Sequence, residues 1–376
     1  MLPPSITICL MQFSLSVLSL LAAYHTPPTF YFLHVILQAF CFLLQFAYPP
    51  NSNAVLTYVP VAVSFFQILR FSDFLLLSRP YEEFHQPGKP KYADLRPLGR
   101  LKWALNTAFS TRGIGWSWEI PYLPSSSSPI TRRSLLRSLS VTYMMYDIMH
   151  TYSMRDPYLR TEGKEGVRPS EMPFSKRAPL MWAAGLSAVF GIVAPYIVVC
   201  VLLIGVWGKA EDCRPMFGNP WECTSVRRFW GRGWHQLVRR PLQVHGRWLA
   251  HDILGFRKGG AASAFTQAVV VFTLCGAAHW IGCFAADRSR WWIRTQAFFM
   301  VQPLGMVIEG AVMVVGKRAG IRDVGWVRVV GFAWFAVWIG LTLPLYIEDC
   351  AQVGMLKEMW RLSFVQGVSA GKWFVG

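Results

Sequence analysis

A histidine inside an apolar stretch is the residue whose setting points most directly to chemistry. His279 lies among small and apolar residues in the sequence G-A-A-H-W-I-G, residues 276–282. An ionisable side chain in a membrane-length apolar helix is costly and marks a functional site by default. Because imidazole titrates near neutral pH, it can act as a general base. His279 is therefore a candidate catalytic residue; the alternative is a structural histidine that donates a hydrogen bond to a neighbouring helix.

A second candidate site lies at residues 227–236, with the sequence R-R-F-W-G-R-G-W-H-Q. On a helix Trp230 and Trp234 share a face, because they are four residues apart. His235 adds a second imidazole next to them. Such an amphipathic, aromatic and basic stretch is typical of a segment at a membrane interface. A plain interfacial anchor is the alternative to a binding site.

Three charged residues in apolar surroundings need partners or a role. Arg70 and Asp73 are three residues apart near the end of one apolar stretch, and we expect them to pair with each other. Glu309, in the sequence M-V-I-E-G-A, has no partner within its own stretch. We expect it either to meet an arginine or to line a substrate pocket.

The motifs of common soluble enzymes are missing from the sequence. It has no G-x-x-x-x-G-K-[ST] loop, no G-x-G-x-x-G fingerprint and no G-x-S-x-G elbow. No set of cysteines and histidines has the spacing of zinc ligands, so we predict no metal site. ATPase, dehydrogenase and serine hydrolase functions therefore have no support.

The composition argues against a soluble globular enzyme and against a nucleic-acid-binding protein. Of the 376 residues, 53% are hydrophobic and 15% are charged, whereas ordinary soluble domains have about 25% charged residues. The 37 Lys and Arg residues exceed the 20 Asp and Glu residues, for a net charge of +17. No Lys, Arg, Asp or Glu occurs from Met1 to Leu69. Charged and apolar residues are thus segregated along the chain, as in a polytopic membrane protein.

The apolar windows predict an all-α polytopic membrane protein with about eight transmembrane helices, formed by one domain over residues 1–376. Each clear window has about 20 residues, enough to cross a hydrocarbon core of about 30 Å. Another candidate, Ser134–His150, is apolar on one face but carries Arg137 and Asp147, so it either spans the membrane or lies in the interface. The clear windows are 5–23, 29–48, 54–77, 179–207, 261–285, 296–315 and 326–346.

The distribution of basic residues favours eight spans. The loops 78–133 and 208–260 are rich in Lys and Arg, and both should be cytosolic by the positive-inside rule. An even number of spans must then separate them. Ser134–His150 and 179–207 would supply two; the rival solution is that 179–207, interrupted by Pro195, forms a helical hairpin. The loop 208–260 contains the amphipathic segment with the F-W-G-R-G-W-H-Q block.

Three short blocks, together with the span layout, resemble a known family. They are T-R-G-I-G-W-S-W at 111–118, F-W-G-R-G-W-H-Q at 229–236 and G-A-A-H-W at 276–280. These blocks resemble the wax-synthase-like branch of the membrane-bound O-acyltransferase superfamily. Within that branch the sequence is most similar to fungal enzymes that acetylate hydroxyl groups of terpenoids and meroterpenoids.

The resemblance implies an acyl-CoA-dependent O-acyltransferase of the endoplasmic reticulum, with no bound cofactor. Acetyl-CoA would be the co-substrate and a lipophilic alcohol the acceptor, with membrane lipids around the protein. His279 would be the general base. His235 stands where the sterol and diacylglycerol branch usually has asparagine, and would orient the donor or stabilise the oxyanion. The residues expected to contact the acceptor or CoA are Trp230, Arg232, Trp234, Gln236, Arg227, Arg228, Trp280, Arg112 and Glu309.

Two alternatives stay open on the sequence alone. One is a long-chain wax ester synthase of the same family, because no sequence rule separates a short acyl pocket from a long one. The other is a proton-coupled transporter in which His279 and Glu309 form a relay. The aromatic block and the large basic loops argue against the transporter, because a transporter core does not require them.

Overall fold

The computed structural model describes residues 2–124, 129–206, 210–321, 325–357, 363–371 and 373. These residues form helices and connecting segments with no strand among them, which confirms the all-α prediction. The α-helices of the described residues are, in chain order, α1 (Pro4–Ala23), α2 (Tyr31–Leu44), α3 (Val55–Ser72), α4 (Pro80–Glu83), α5 (Pro97–Phe109), α6 (Arg132–Ser153), α7 (Pro157–Arg160), α8 (Phe174–Val206), α9 (Val226–Arg228), α10 (Arg239–Arg247), α11 (Ala261–Ala286), α12 (Ile293–Arg318), α13 (Gly325–Thr342), α14 (Pro344–Gln352) and α15 (Phe364–Ala370).

Seven helical segments of the described chain are long and apolar enough to cross a membrane. They match the seven clear windows and confirm a polytopic membrane fold. Residues 207–209, where the predicted span 179–207 meets the predicted loop 208–260, lie outside the described residues. The seven segments are Pro4–Ala23, Pro28–Ala47, Val55–Leu77, Phe174–Ile204, Ala261–Ala286, Ile293–Arg318 and Gly325–Gln352.

The helix α8 is continuous over 33 residues, which corresponds to about 50 Å at 1.5 Å per residue. It passes through Pro195 without interruption. A proline inside a long apolar helix is tolerated when its surroundings satisfy the freed carbonyl. The helical-hairpin alternative for 179–207 is therefore wrong.

The described chain divides into two compact units. Unit 1 comprises Met1–Ser52, Leu56–Tyr122 and Gln236–Trp291, and unit 2 comprises Asn53–Val55, Leu123–His235 and Trp292–Gly376. Each unit thus combines segments that are distant in sequence. The prediction of one functional domain over 1–376 stays a prediction.

Unit 1 is organised around an aromatic cluster near the end of α3. The rings of Tyr92 and Trp103 lie 4.6 Å apart between centroids, and Trp103 Nε1 donates to the carbonyl of Phe84 at 2.9 Å. Trp118 packs edge-on against Phe74. The buried indole of Trp103 thus has a hydrogen-bond partner. This cluster fixes the segment that contains the T-R-G-I-G-W-S-W block.

In unit 2 the helix α6 lies along α8. Leu135 of α6 packs with Ile197 and Val201 of α8 in one apolar cluster. Asp147 is buried, and its carboxylate accepts from Ser363 Oγ at 2.6 Å and from a backbone N–H of α15 at 2.8 Å. Of the two charges that argued against α6 as a span, that of Asp147 is therefore satisfied inside the protein, whereas Arg137 is exposed.

The outward side of α6 carries the exposed Arg137 near its start and is apolar beyond it. Val141, Met144 and Ile148 are exposed, and their spacing of three and four residues places them on one face of the helix. The predicted eighth segment is thus helical throughout, with an apolar outer face. Its assignment as a membrane span stays a prediction.

Candidate active site

His279 of α11 contacts a tyrosine of α3. Tyr58 Oη lies 2.5 Å from His279 Nδ1, and Tyr58 is only 4% exposed. Both residues belong to unit 1. The sequence analysis missed Tyr58, because it lies 221 residues away in an apolar stretch with no motif. The alternative reading of His279, a hydrogen bond to a neighbouring helix, is thus also met by this contact.

A glycine on α11 makes room for the tyrosine ring. A Cβ atom added at Gly282 would lie 2.9 Å from Tyr58 Cδ2, closer than side-chain contacts normally allow. Gly282 is one helical turn beyond His279, so both face α3. The small residues of the G-A-A-H-W-I-G block therefore permit the close approach of α3 at the histidine, as small residues do in membrane helix packing.

The hydrogen bond through Nδ1 determines which nitrogen of His279 can act as a base. When Nδ1 carries the hydrogen and donates to Tyr58 Oη, Nε2 keeps its lone pair. A base whose second nitrogen is held by another group is the arrangement of nucleophile and base systems generally. Tyr58 thus fixes the ring orientation of His279 and leaves Nε2 as the nitrogen that is not engaged in this contact.

Trp280, the neighbour of His279, is engaged at the end of α11. Its Nε1 donates to the carbonyl of Trp291, and the two indole rings stack with centroids 6.4 Å apart. Phe284 stacks on Trp291 at 5.4 Å. Trp280 thus anchors the loop after α11, and its expected contact with a substrate stays a prediction.

In unit 2 the aromatic block forms a π-helical turn rather than a regular α-helix. Residues Phe229–Gly233 are π-helical, and the backbone becomes extended at Trp234. The rings of Trp230 and Trp234 lie 5.5 Å apart, so the expected neighbours do meet, although not on an α-helical face. Trp230 Nε1 donates to Gln302 Oε1 of α12 at 3.2 Å. Single π-helical turns often mark functional positions in proteins.

His235 follows this turn and stays uncharged at neutral pH. Its ring packs against Phe217 and Trp234, with centroids 5.7 and 5.2 Å away, and its Nδ1 is buried with no hydrogen-bond partner among the described residues. Burial lowers the pKa of His235 from 6.5 to about 4, because desolvation disfavours the charged imidazolium. A neutral imidazole with an unused polar atom can take a hydrogen bond from a ligand or, in the other tautomer, give one.

Glu309 holds the start of the block in place. Its carboxylate accepts from the backbone N–H groups of Val226 and Arg227 and from Trp334 Nε1 at 3.1 Å. A carboxylate at the first turn of a helix satisfies amides that have no partner within it. Glu309 therefore meets the backbone of an arginine rather than a guanidinium. The expected role in binding substrate stays a prediction.

The arginines of the block are exposed to solvent, whereas the glutamine at its end is buried. Arg227, Arg228 and Arg232 are exposed side chains of unit 2. Gln236, in unit 1, is 3% exposed, and its Oε1 accepts from Arg239 Nη1 at 2.8 Å. The three exposed arginines are therefore placed where a charged ligand in water can reach them.

The expected pairing of Arg70 with Asp73 is wrong. Asp73 instead accepts from Arg240 Nε at 2.9 Å and from Ser78 Oγ at 2.8 Å. Arg70 donates through Nη2 to the carbonyls of Thr107, at 2.6 Å, and Ser110. The three-residue spacing misled because both side chains have partners from distant segments: Arg240 for Asp73, and the carbonyls of Thr107 and Ser110 for Arg70.

The T-R-G-I-G-W-S-W block is a tight turn that buries Arg112. Gly113 has φ +62°, and a Cβ there would lie 2.4 Å from the ring of Trp118. The chain then folds back on itself, and Ile120 N–H donates to the Arg112 carbonyl at 3.1 Å. Arg112 itself is 3% exposed. The glycine is required both by its backbone conformation and by the indole.

The structure therefore groups the predicted residues in two sets. Unit 1 contains His279 with Tyr58, Trp280, Arg112 and Gln236, whereas unit 2 contains the remaining residues. Those in unit 2 are His235, Trp230, Trp234, Arg227, Arg228, Arg232 and Glu309.

Comparison with known proteins gives the family. A family model described as membrane bound O-acyl transferase matches residues 213–301, an interval that contains His235 and His279. Acetyltransferase ple2 of Rhodocybe pseudopiperita is 30% identical over 318 residues, which cover 81% of each chain. The chain belongs to the membrane-bound O-acyltransferase family.

Other members of the family are similar over most of the chain. Acetyltransferase eriL of Hericium erinaceus is 24% identical over 351 residues, 90% of this chain and 89% of the relative. O-Mevalon transferase yanI of Aspergillus niger is 27% identical over 283 residues, 68% of this chain and 63% of the relative. The predicted resemblance to fungal members of this family is thus confirmed.

Membership in the membrane-bound O-acyltransferase family defines the class of activity. The protein is an integral membrane enzyme that transfers acyl groups from a donor to an acceptor. The transporter alternative is therefore wrong.

Proposed function

We propose that the enzyme transfers the acetyl group of acetyl-CoA to a hydroxyl group of a lipophilic terpenoid or meroterpenoid, in the endoplasmic reticulum membrane of a fungus. The main support for acetyl as the transferred group is the similarity to relatives named acetyltransferases, such as ple2, which is 30% identical to this chain. The seven apolar segments support an acceptor that enters from the bilayer.

His279 acts as the general base in this proposal. Its Nε2 takes the proton of the acceptor hydroxyl while that oxygen attacks the thioester carbonyl carbon. The C–S bond then breaks, and the CoA thiolate leaves and receives the proton from His279. The thioester is already activated, so the site needs only to align the two substrates, and no acyl-enzyme is required. Tyr58 supports the role because it holds Nδ1.

His235 contributes as a neutral group. Its lowered pKa keeps the imidazole uncharged, and its unused Nδ1 suits a hydrogen bond that orients the donor or stabilises the oxyanion. Trp230 and Trp234 in unit 2, and Gln236 and Trp280 in unit 1, each contact a substrate in this proposal. Arg227, Arg228 and Arg232 contact the phosphates of CoA, because guanidinium groups pair well with phosphate oxygens. Glu309 supports the block by holding the N–H groups of Val226 and Arg227, and Arg112 is a further residue proposed to contact CoA.

A second donor is supported by the relative named O-mevalon transferase. The same direct attack on a thioester accommodates a larger acyl group, so a mevalonyl donor needs no change of mechanism. The long-chain wax ester synthase is the remaining family alternative.

The test uses membranes that contain the wild-type chain and control membranes that lack it. Labelled acetyl-CoA, mevalonyl-CoA and a long-chain acyl-CoA are each supplied with hydroxylated terpenoids and, separately, with fatty alcohols. We expect a labelled terpenoid ester from acetyl-CoA only in membranes that contain the chain. Ester formation confined to the long-chain donor and fatty alcohols would overturn the proposal in favour of a wax ester synthase.

A further inference from the structure

Unit 1 contains a partly open cavity of about 150 Å³. It lies at the C-terminal end of α3, the end that is followed by segment 78–133. One part of its wall is apolar and comes mainly from α1, α3 and the residues before α10. The polar part combines side chains from three distant parts of the sequence. These are Gln67, Arg70, Thr111, Trp118 and Arg240. The cavity therefore lies beside the T-R-G-I-G-W-S-W block and directly after the F-W-G-R-G-W-H-Q block, and the proposed function assigns it no role.

Two hydrogen-bond donors in this wall have no partner among the described residues. They are Gln67 Nε2 and Trp118 Nε1, on side chains that are 4% and 8% exposed. A buried donor without an acceptor costs about 1–3 kcal/mol, so unpaired donors at a cavity indicate that an acceptor enters it. Both atoms are N–H groups, so the missing partner is an acceptor.

The charge around the cavity is positive. Two guanidinium groups line it, those of Arg70 and Arg240, and no carboxylate does. The nearby carboxylate of Asp73 is already bound to Arg240 and Ser78. Arg70 is 6% exposed and donates to two backbone carbonyls, which do not neutralise its charge. Arg70 and Arg240 thus share the single carboxylate of Asp73, which leaves one positive charge in excess, so an anion that enters the cavity is favoured.

We propose that this cavity binds a phosphate group, and that the phosphate is the one at the end of the pantetheine arm of CoA. The volume of about 150 Å³ is ample for one phosphate with attached atoms, because a single water molecule needs only about 10–15 Å³ of such space. Gln67 and Trp118 donate to the phosphate oxygens, and Arg70 and Arg240 supply the charge.

The position of the cavity along α3 agrees with this assignment. Arg70 lies twelve residues beyond Tyr58, the partner of His279, which places the two about 18 Å apart along the helix at 1.5 Å per residue. The extended pantetheine arm spans such a distance between the thioester and its phosphate. This identification of the ligand rests on the proposed function, in which the thioester reacts at His279. An anionic lipid headgroup carries the same phosphate chemistry and is the other source.

The experiment measures binding without turnover, so that it does not depend on the acetyl transfer. The full chain in phosphatidylcholine nanodiscs is titrated with CoA, phosphopantetheine and pantetheine. Gln67→Leu removes an unpaired donor and breaks no side-chain hydrogen bond among the described residues, and Trp118→Phe removes the other while keeping a ring. Gln45→Leu is the matched control, because Gln45 is also buried with an unpaired amide but does not line the cavity.

We expect the wild type to bind phosphopantetheine more tightly than pantetheine. Gln67→Leu and Trp118→Phe should each weaken CoA and phosphopantetheine binding roughly tenfold, with pantetheine unchanged, and Gln45→Leu should weaken neither. The thermal unfolding midpoint is also compared in nanodiscs with and without phosphatidic acid. If both variants lose only the increase in midpoint that phosphatidic acid gives the wild type, the phosphate is that of a lipid and the assignment to CoA is wrong. If they change no phosphate ligand, the cavity does not bind phosphate. A preserved phosphopantetheine preference in an enzyme that forms no ester would overturn the proposed reaction but leave the cavity assignment intact.

Discussion

Tyr58 gives His279 a residue-scale test that does not remove the histidine itself. Tyr58→Phe keeps the ring against Gly282 but removes the hydroxyl that lies 2.5 Å from Nδ1. We expect kcat to fall roughly 10- to 100-fold, with a small change in KM, because the base loses its orientation and not its substrate contacts. Tyr92→Phe is the control, since the Tyr92 hydroxyl is buried and has no hydrogen-bond partner in the part of the chain that the structure describes. Equal kcat values for the two variants would contradict the role of Tyr58.

His235 predicts a pH dependence of stability. Its pKa is lowered from 6.5 to about 4 in the folded protein, so between these values the unfolded chain binds a proton that the folded chain does not. Stability therefore falls as the pH is lowered through this interval, by at most about 3 kcal/mol. Gln stays neutral at both pH values, so His235→Gln should lose less stability on acidification. The thermal unfolding midpoints of the two proteins at pH 6.5 and near pH 4 measure this. Parallel losses in the two proteins would show that His235 is protonated when folded.

At the residue scale, candidate site residues could be predicted from the sequence where their immediate sequence context is unusual. His279 stands out in its apolar stretch, and the aromatic block is dense in unusual side chains. The partners were not predictable, because Tyr58 and Val226 lie 221 and 83 residues from the side chains that they bind. Arg70 and Asp73 show the converse error, because sequence proximity suggested a pair, whereas both side chains have partners from distant segments.

At the element scale, the close approach of α3 and α11 should control activity. Gly282→Ala places a Cβ 2.9 Å from the Tyr58 ring, so α3 or the ring must shift and His279 moves with it. We expect kcat to fall at least roughly tenfold from this misplacement. The control is Gly310→Ala in α12, where an added Cβ meets nothing within 4 Å and alanine favours the helix by up to about 1 kcal/mol. Unchanged activity in Gly282→Ala would show that this helix contact does not position the base.

Helices were predictable where their own sequence determines their structure, and not where distant residues do. Long apolar windows predicted seven membrane-length helices, because about 20 consecutive apolar residues have few other stable states. The π-helical turn at Phe229–Gly233 has no such signal, since it depends on Glu309 and Gln302 of a distant helix. The continuity of α8 through Pro195 likewise depends on its neighbours and not on its own sequence.

At the scale of the whole molecule, the continuous α8 makes α6 decisive for topology. One span between the loops 78–133 and 208–260 would place them on opposite sides, and only a spanning α6 places both in the cytosol. A glycosylation sequon introduced within 161–166 should therefore be glycosylated in endoplasmic reticulum membranes, whereas one within 86–91 should not. Gel mobility with and without deglycosylation measures this. Glycosylation at neither position, with normal expression, would place α6 in the interface.

The most direct test of the central claim compares acetyl transfer by the wild type, His279→Ala and His34→Ala. His34 is a histidine in another membrane-length segment, Pro28–Ala47, and controls for loss of an intramembrane imidazole. Membrane insertion of each variant is checked in parallel. We predict that His279→Ala, although normally inserted, loses transfer from acetyl-CoA by roughly 100- to 10,000-fold, whereas His34→Ala retains it. Full transfer by a normally inserted His279→Ala would contradict the assignment of His279 as the general base.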